Sequence, residues 1–571
     1  MEMNETATSA AAAVDLISEL NDDVLLRILG LLPSARDVAR TAVLSKRWRH
    51  LCGIAPCLRF DVSSSARCHD AARRLTAGVD ACLARRRGGG AADAADVDVL
   101  EISLVYTDTS ESKHGTFKRV PVGKRFYFHD HRHEADVTPS LVDSWLRFAE
   151  RHVKGSFVLE VPLNAAAAAA LDRAEETSTA EQDYQEEESP APELEEEEVV
   201  ELPATSRAEA MSITLGGANT TVPIAGAGAF HALTDFTLCR AKINAYDDGD
   251  LRLGHLLSSP CCPRLRRLEL RHVAGLIRLH LDASDALEEL RLVYLPDLLR
   301  LHVDAPGLRL LRVGHCDNLP CSGDPAPVRV SAPRLEALAW DRLECIACRE
   351  VIATATVRHL KKISLFSHGG DEDETNVAAV RLLKSCTAVD HLELRLTLRV
   401  ESSEDTTKEI PYLPTVTNLR LDVSTWWKGH TIGATLARII AKCNNIKHLS
   451  IRVSGLFKVC SDPQCNCSQP EGWEDQKIQL EHLKKVEFKG FIPCDDRKSL
   501  LRLLLKNAPV LEKINVKLNN TYILQSPEEF RENTNFDVPG YQGFWTPYEW
   551  KYRECGIFYG ATKYEWTRET N

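Results

Sequence analysis

Large apolar residues follow three different spacings along this chain, and each spacing predicts a different kind of element. Between Val24 and Leu32 only Arg27 and Gly30 are not large and apolar. A helix here is therefore apolar on both sides instead of carrying one stripe. Asn21 or Asp22 can cap it, Pro33 stops it, Ser34 with Asp37 three residues on can open a second helix, and Ser45 a third. One face of the first helix can pack on its neighbours. A body of roughly 40 residues or fewer cannot hide the other face, so that surface must meet another protein or the rest of this chain.

The second spacing alternates. Residues 73–98 mix Arg, Ala and Gly, as in a helix that ends in a flexible connection; 97–106 alternate like a strand, 140–152 form an amphipathic helix, and 156–161 are again strand-like. From Asn164 to Ser206 polyalanine and acidic low-complexity sequence breaks in. It cannot bury a core and is expected to be an exposed, mobile loop. From Leu233 the third spacing takes over. The motif apolar-x-x-apolar-x-apolar starts at Leu233, Leu265, Leu276, Leu287, Leu298, Leu308 and Leu335, then at Val389, Val416, Ile446, Leu483 and Leu511. Early steps of 10 or 11 residues halve a unit of about 22, and later steps lengthen to about 30. The lengthening follows helices expected at 376–386, 431–443 and 497–509. The pattern predicts an α/β solenoid of stacked strand and crossover units.

Residues 15–60 resemble an F-box. The likeness rests on the apolar helix, on Leu32-Pro33 and on Leu44-Ser45-Lys46-Arg47-Trp48. The sequence departs at Leu20-Asn21, where that family usually has Pro. The resemblance implies three helices that dock a Skp-type adaptor through Leu20, Leu25, Ile28, Leu32, Pro33, Val38, Leu44 and Trp48, and through the adaptor a cullin ubiquitin ligase. Residues 61–163 then read as a connecting helix and first repeat-like strands, 164–206 as the acidic loop, and 207–477 as degenerate leucine-rich repeats. Residues 478–518 resemble an FBD element, on the strand Lys484-Lys485-Val486-Glu487-Phe488-Lys489-Gly490 and on the run from Asn507 to Lys513. Residues 519–571 are a tail whose last 36 positions carry eleven aromatics, expected to cover the open end of the solenoid. Taken in order, the segments resemble the plant F-box, leucine-rich-repeat and FBD proteins. That resemblance implies a non-catalytic substrate-recognition subunit whose solenoid holds a protein client for ubiquitination. Two alternatives stand beside it: a hormone-type small-molecule receptor on the same scaffold, and an interaction scaffold outside any ligase.

Charge sharpens one part of this. The formal net charge is −12. Residues 174–206 hold thirteen of the 82 acidic side chains and no Lys or Arg, which leaves 69 acidic against 70 basic ones elsewhere. On leucine-rich strands the residues between the leucines line the concave face. There Arg267, Arg271, Arg291, Arg312, Arg395, Arg420, Arg452, Lys485, Lys489, Lys513 and Lys517 stand against Glu269, Glu289, Asp341, Glu393, Asp422 and Glu487. The plainer reading pairs these charges across neighbouring strands; the sharper one makes the face a site for an acidic or phosphorylated client segment. The aromatic interleaving of a nucleic-acid channel is missing, so no nucleic-acid partner is expected.

No run reaches 18 apolar residues and no signal peptide is visible, so no membrane partner is expected, and the scattered eighteen cysteines fit the nucleus or cytoplasm. Cys460, Cys465 and Cys467, the pair Cys345 and Cys348, and His129, His131 and His133 have suggestive spacings. None has a second ligand pair at a recognisable distance, so no metal and no cofactor are expected. Neither a phosphate-binding loop nor a nucleophile elbow is present.

Overall fold

The computed structural model describes residues 17, 19–61, 71–88, 96–104, 137–161, 163, 199–244, 248–316, 328–340, 356–366, 373–398, 406–425, 431–455, 472–491, 494–518, 541–546 and 563–568. The chain forms two compact units, residues 1–244 with 260–262, and 245–259 with 263–571. Their division at Asn244 falls inside the segment 207–477 that the sequence groups as one repeat array. Strands on both sides of it share the same leucine spacing, so sequence pattern alone cannot mark it.

In the first unit, α1 (Asp22–Leu31), α2 (Ala35–Thr41) and α3 (Lys46–Gly53) begin where the sequence places their caps. The Asn21 side chain accepts from the Val24 amide at 2.9 Å, Ser34 from Asp37 and Ser45 from Trp48, each at 3.2 Å. Each contact satisfies an amide that the first turn leaves without a helical partner. Leu25, Leu29, Val38, Trp48, Leu51 and Ala55 close a small core between the helices.

The rest of this unit is β1 (Cys57–Asp61), α4 (Ala71–Gly88), β2 (Val97–Ser103), α5 (Pro139–His152), β3 (Val153–Glu160), β4 (Val200–Glu201), β5 (Ala210–Thr221) and β6 (Asp235–Ile243). Strands β1, β2, β3, β5 and β6 run parallel in that order, with β4 beside the far end of β5. Register stacks Leu58, Leu100, Phe157, Met211 and Phe236 in one buried row and Phe60, Ile102, Leu159, Ile213 and Leu238 in the next. A one-residue slip would turn both rows outward, so burial specifies the register.

The second unit contains α6 (Gly249–Leu256), β7 (Arg267–Ala274), β8 (Arg278–Asp282), β9 (Glu289–Val293), β10 (Arg300–Asp304), β11 (Leu310–Gly314), β12 (Val328–Ser331), β13 (Ala337–Trp340) and β14 (His359–Phe366). It continues through α7 (Asp373–Ser385), β15 (His391–Leu398), β16 (Asn418–Thr425), α8 (Gly433–Ala441), β17 (His448–Gly455), β18 (Lys485–Phe491), α9 (Asp495–Asn507) and β19 (Lys513–Leu518). It ends in β20 (Tyr541–Thr546) and β21 (Lys563–Arg568).

The halved period has a direct cause. Strands β7, β9, β11 and β13 to β19 make one parallel sheet, while β8, β10 and β12 alternate into a second. From β14 onward, helices α7, α8 and α9 occupy every other crossover, after β14, β16 and β18, and the repeat lengthens. All twelve residues that open the leucine motif are buried. One apolar row runs unbroken through ten strands: Leu268, Leu290, Leu311, Leu338, Leu360, Leu392, Leu419, Leu449, Val486 and Ile514. Beyond β19 the order reverses, because β21 pairs with it antiparallel and β20 with β21. The tail thus adds two strands to the last edge of the parallel sheet and covers its unpaired groups.

Candidate functional site

Helix α1 has two apolar faces and uses them differently. Leu25 and Leu29 are fully buried in the three-helix core. Val24, Ile28 and Leu31, at spacings of four and three residues on another face, are exposed, Leu31 by 84%. Val43 (83% exposed) and Leu44 (64%), in the turn before α3, join them. Arg47 holds the start of α1 by donating to Asp22 Oδ1 at 2.7 Å and to the Leu20 carbonyl at 2.5 Å. Arg59 of β1 donates to the Gly30 carbonyl near its end at 3.0 Å.

The eight adaptor-contact candidates therefore separate. Ile28, Pro33 and Leu44 are at the surface, whereas Leu20 and Leu32 lie partly buried against the core. Leu25, Val38 and Trp48 are inside it. These three side chains have no access to a partner while the helices stay packed; their part is to hold the exposed ones in place. Val24, Leu31 and Val43 are surface residues that the sequence reading passed over. For Val24 and Leu31 the deciding fact is which apolar face α1 buries; Val43 is exposed in the turn before α3.

In the second unit the charged candidates share one side of the long sheet, between the buried leucines. Arg267, Arg271, Arg452 and Lys485 are exposed there, and Arg291, Arg312, Arg395, Arg420 and Lys489 half-buried. Charge pairing runs mainly along each strand. Arg271 meets Glu269 (3.8 Å), Arg291 meets Glu289 (3.1 Å), Arg420 meets Asp422 (3.1 Å) and Lys489 meets Glu487 (2.9 Å), each two residues apart on one face. Arg452 reaches Asp422 across the ladder at 3.9 Å. Partly exposed pairs like these contribute about 0–1 kcal/mol each; they engage Arg271, Arg291, Arg420, Arg452 and Lys489 within the face and leave its excess of basic over acidic side chains unchanged. Burial lowers the Arg420 guanidinium pKa, but Asp422, Glu393 and Glu487 outweigh it and the net shift is upward, which keeps the group charged.

At the N-terminal ends of β15 to β19 the side chains part around a groove of about 460 Å3. Lys361, His391, Glu393, Arg420, His448, Lys485, Glu487 and Asn515 are among its lining. Charged side chains of both signs rim it, while Leu392, Leu419, Leu449 and Val486 also line it and more of its wall is apolar than polar. Asp341, the Cys345, Cys348, Cys460, Cys465 and Cys467 thiols, the His129 to His133 run and most of the acidic loop lie outside the described residues. Among the described residues no helix is long and apolar enough to cross a membrane.

Residues 479–516 match the FBD family, a span that takes in β18, α9 and most of β19. An FBD-associated F-box protein of Arabidopsis thaliana is 55% identical over 49 residues, 9% of this chain and 11% of the relative. An F-box/LRR-repeat protein of the same plant is 49% identical over 47 residues, 8% of this chain and 18% of the relative. An F-box/FBD/LRR-repeat protein is 48% identical over 56 residues, 10% of this chain and 12% of the relative. Each match spans less than a fifth of the relative's length. By sequence, over these stretches, the chain is similar to the F-box, leucine-rich-repeat and FBD proteins of plants.

Proposed function

We propose that this protein is the substrate-recognition subunit of a Skp-cullin-F-box ubiquitin ligase. The observation that carries the proposal is the unpartnered apolar stripe Val24, Ile28 and Leu31 on α1, with Val43 and Leu44 beside α3. Large side chains exposed in this way on so small a unit favour burial against another protein. A Skp-type adaptor is the partner that the likeness to F-box proteins implies. The long sheet would then hold the client, at a groove that offers charges of both signs beside apolar wall. The protein's own contribution to the reaction would be proximity, raising the client's concentration near a charged enzyme bound elsewhere.

The test is capture of a purified Skp-type adaptor by the full chain and by an Ile28→Asp, Leu31→Asp double variant. Both positions are surface ones, so the variant should fold, while charge placed in an apolar contact should abolish capture. Capture by wild type alone supports the ligase reading. Equal capture by both would remove α1 as the contact, and failure of both would leave the non-ligase scaffold.

A further inference from the structure

Residues 358–391 bring together a cluster that lies 32 residues apart in sequence. Parallel pairing of β14 and β15 places His359 directly beside His391, and neighbouring strands are about 4.8 Å apart. Their rings meet edge to face, with centroids 4.5 Å apart. Asp390 is pinned between them, since its amide and that of His391 both donate to the Arg358 carbonyl, at 2.9 and 3.1 Å. The same carboxylate oxygen, Asp390 Oδ1, lies 2.7 Å from His391 Nδ1 and 3.7 Å from His359 Nε2. The second oxygen accepts from Arg358 Nη2 at 2.9 Å.

We propose that His359, Asp390 and His391 form a binding site for one divalent transition-metal ion of the zinc, nickel or copper class. All three ligand atoms lie within 4.8 Å of one another. A tetrahedral ion about 2.0–2.1 Å from each ligand needs those atoms roughly 3.3 Å apart. The Asp390–His391 separation is shorter than that, the Asp390–His359 separation longer, and the third within 4.8 Å, so side-chain rotation must bring the three to a common distance. Two imidazole nitrogens and one carboxylate suit zinc, nickel or copper; calcium and magnesium prefer all-oxygen sets.

Arg358 fits as an outer-shell partner. It holds the oxygen of Asp390 that the ion does not take, an arrangement that orients a ligating carboxylate. Its side chain is 66% exposed, so solvent screens much of its repulsion toward the ion. Three protein ligands leave at least one coordination position for water. His391 also lines the groove, so that position is within reach of a carboxylate or imidazole on a bound segment. The site itself requires no client and stands apart from the ligase reading.

The experiment uses the full chain, stripped with chelator and titrated with Co2+ as a spectroscopic probe and with Zn2+ in competition. The expected result is one equivalent of Co2+ with visible d–d bands, no thiolate-to-cobalt charge-transfer band, displacement by Zn2+, and no displacement by Ca2+ or Mg2+. The His359→Asn, His391→Asn double variant should bind at least about tenfold more weakly, since loss of even an outer-shell partner costs about that much. Both rings are at least partly exposed, and matching circular dichroism and metal-free melting curves check the variant's fold. His391→Asn alone gives an independent second reading and should also weaken binding. Unchanged affinity in both variants, or a thiolate band that persists in them, would overturn the assignment and place the metal on cysteines instead.

Discussion

Trp48 shows at the scale of one residue how a motif position and its physical role can differ. It is the most recognisable letter of the Leu-Ser-Lys-Arg-Trp element, yet it is only 8% exposed and packs with Leu25, Leu29 and Leu51. Trp48→Ala should therefore cost about 3–5 kcal/mol through the cavity it leaves. Leu31→Ala, at an exposed site, should stay within about 0.5 kcal/mol. Denaturant titration of the two variants checks the contrast. Asp96 gives the pH counterpart. A hydrogen bond from Lys154, with Arg207 donating at 2.9 Å, holds its carboxyl below the usual range. A depressed carboxyl contributes stability that is complete above its unfolded value of about 3.9 and is lost as pH falls through the folded one. Wild type should thus be more stable than Asp96→Asn at neutral pH, with the gap closing below about pH 4. Melting curves across pH would show whether it does.

At the scale of an element, the last parallel strands are shaped by backbone constraints as much as by side chains. The pairing of β18 with β19 slips between Lys489 and Phe491, and at that bulge Gly490 has a φ of +73°. A Cβ on Gly490 would lie 2.0 Å from the Val453 carbonyl oxygen. The glycine that closes the Lys-Lys-Val-Glu-Phe-Lys-Gly strand is thus required twice, by its dihedral and by the close approach of β17. Gly490→Ala should destabilise the protein by about 1–3 kcal/mol or more, read as a lower denaturation midpoint. A neighbouring device joins two elements: Asp496 of α9 accepts the Ile432 and Gly433 amides at 2.9 and 3.1 Å, capping α8 from a different repeat. Ile432 has no capping side chain of its own, so this cap comes from outside the segment that forms α8.

Across the whole molecule, burial is distributed unevenly. The three-helix core has six buried residues, whereas the β15 to β18 repeats bury an apolar row at every second rung between neighbouring strands. Local opening should be easiest where the fewest apolar contacts resist it. In hydrogen exchange, amides of residues 22–53 should exchange before those of β15, β16 and β17, and on the function proposed above saturating adaptor should slow the former alone. Equal protection of both regions without a partner would show that the helices are held more firmly than their core implies.

Much of this was legible from the chain. The caps Asn21, Ser34 and Ser45, the twelve leucine-motif positions, and the helices near 376–386, 431–443 and 497–509 are all local, set by residues within a turn or two of one another. Period and capping therefore determined the class of fold, an α/β repeat array behind three short helices. Which apolar face α1 buries, that Arg452 reaches Asp422, and that His359 comes beside His391 depend on partners about 20 to 32 residues away. Only the tertiary structure decided them, because strand register, and not sequence spacing, brings those side chains together.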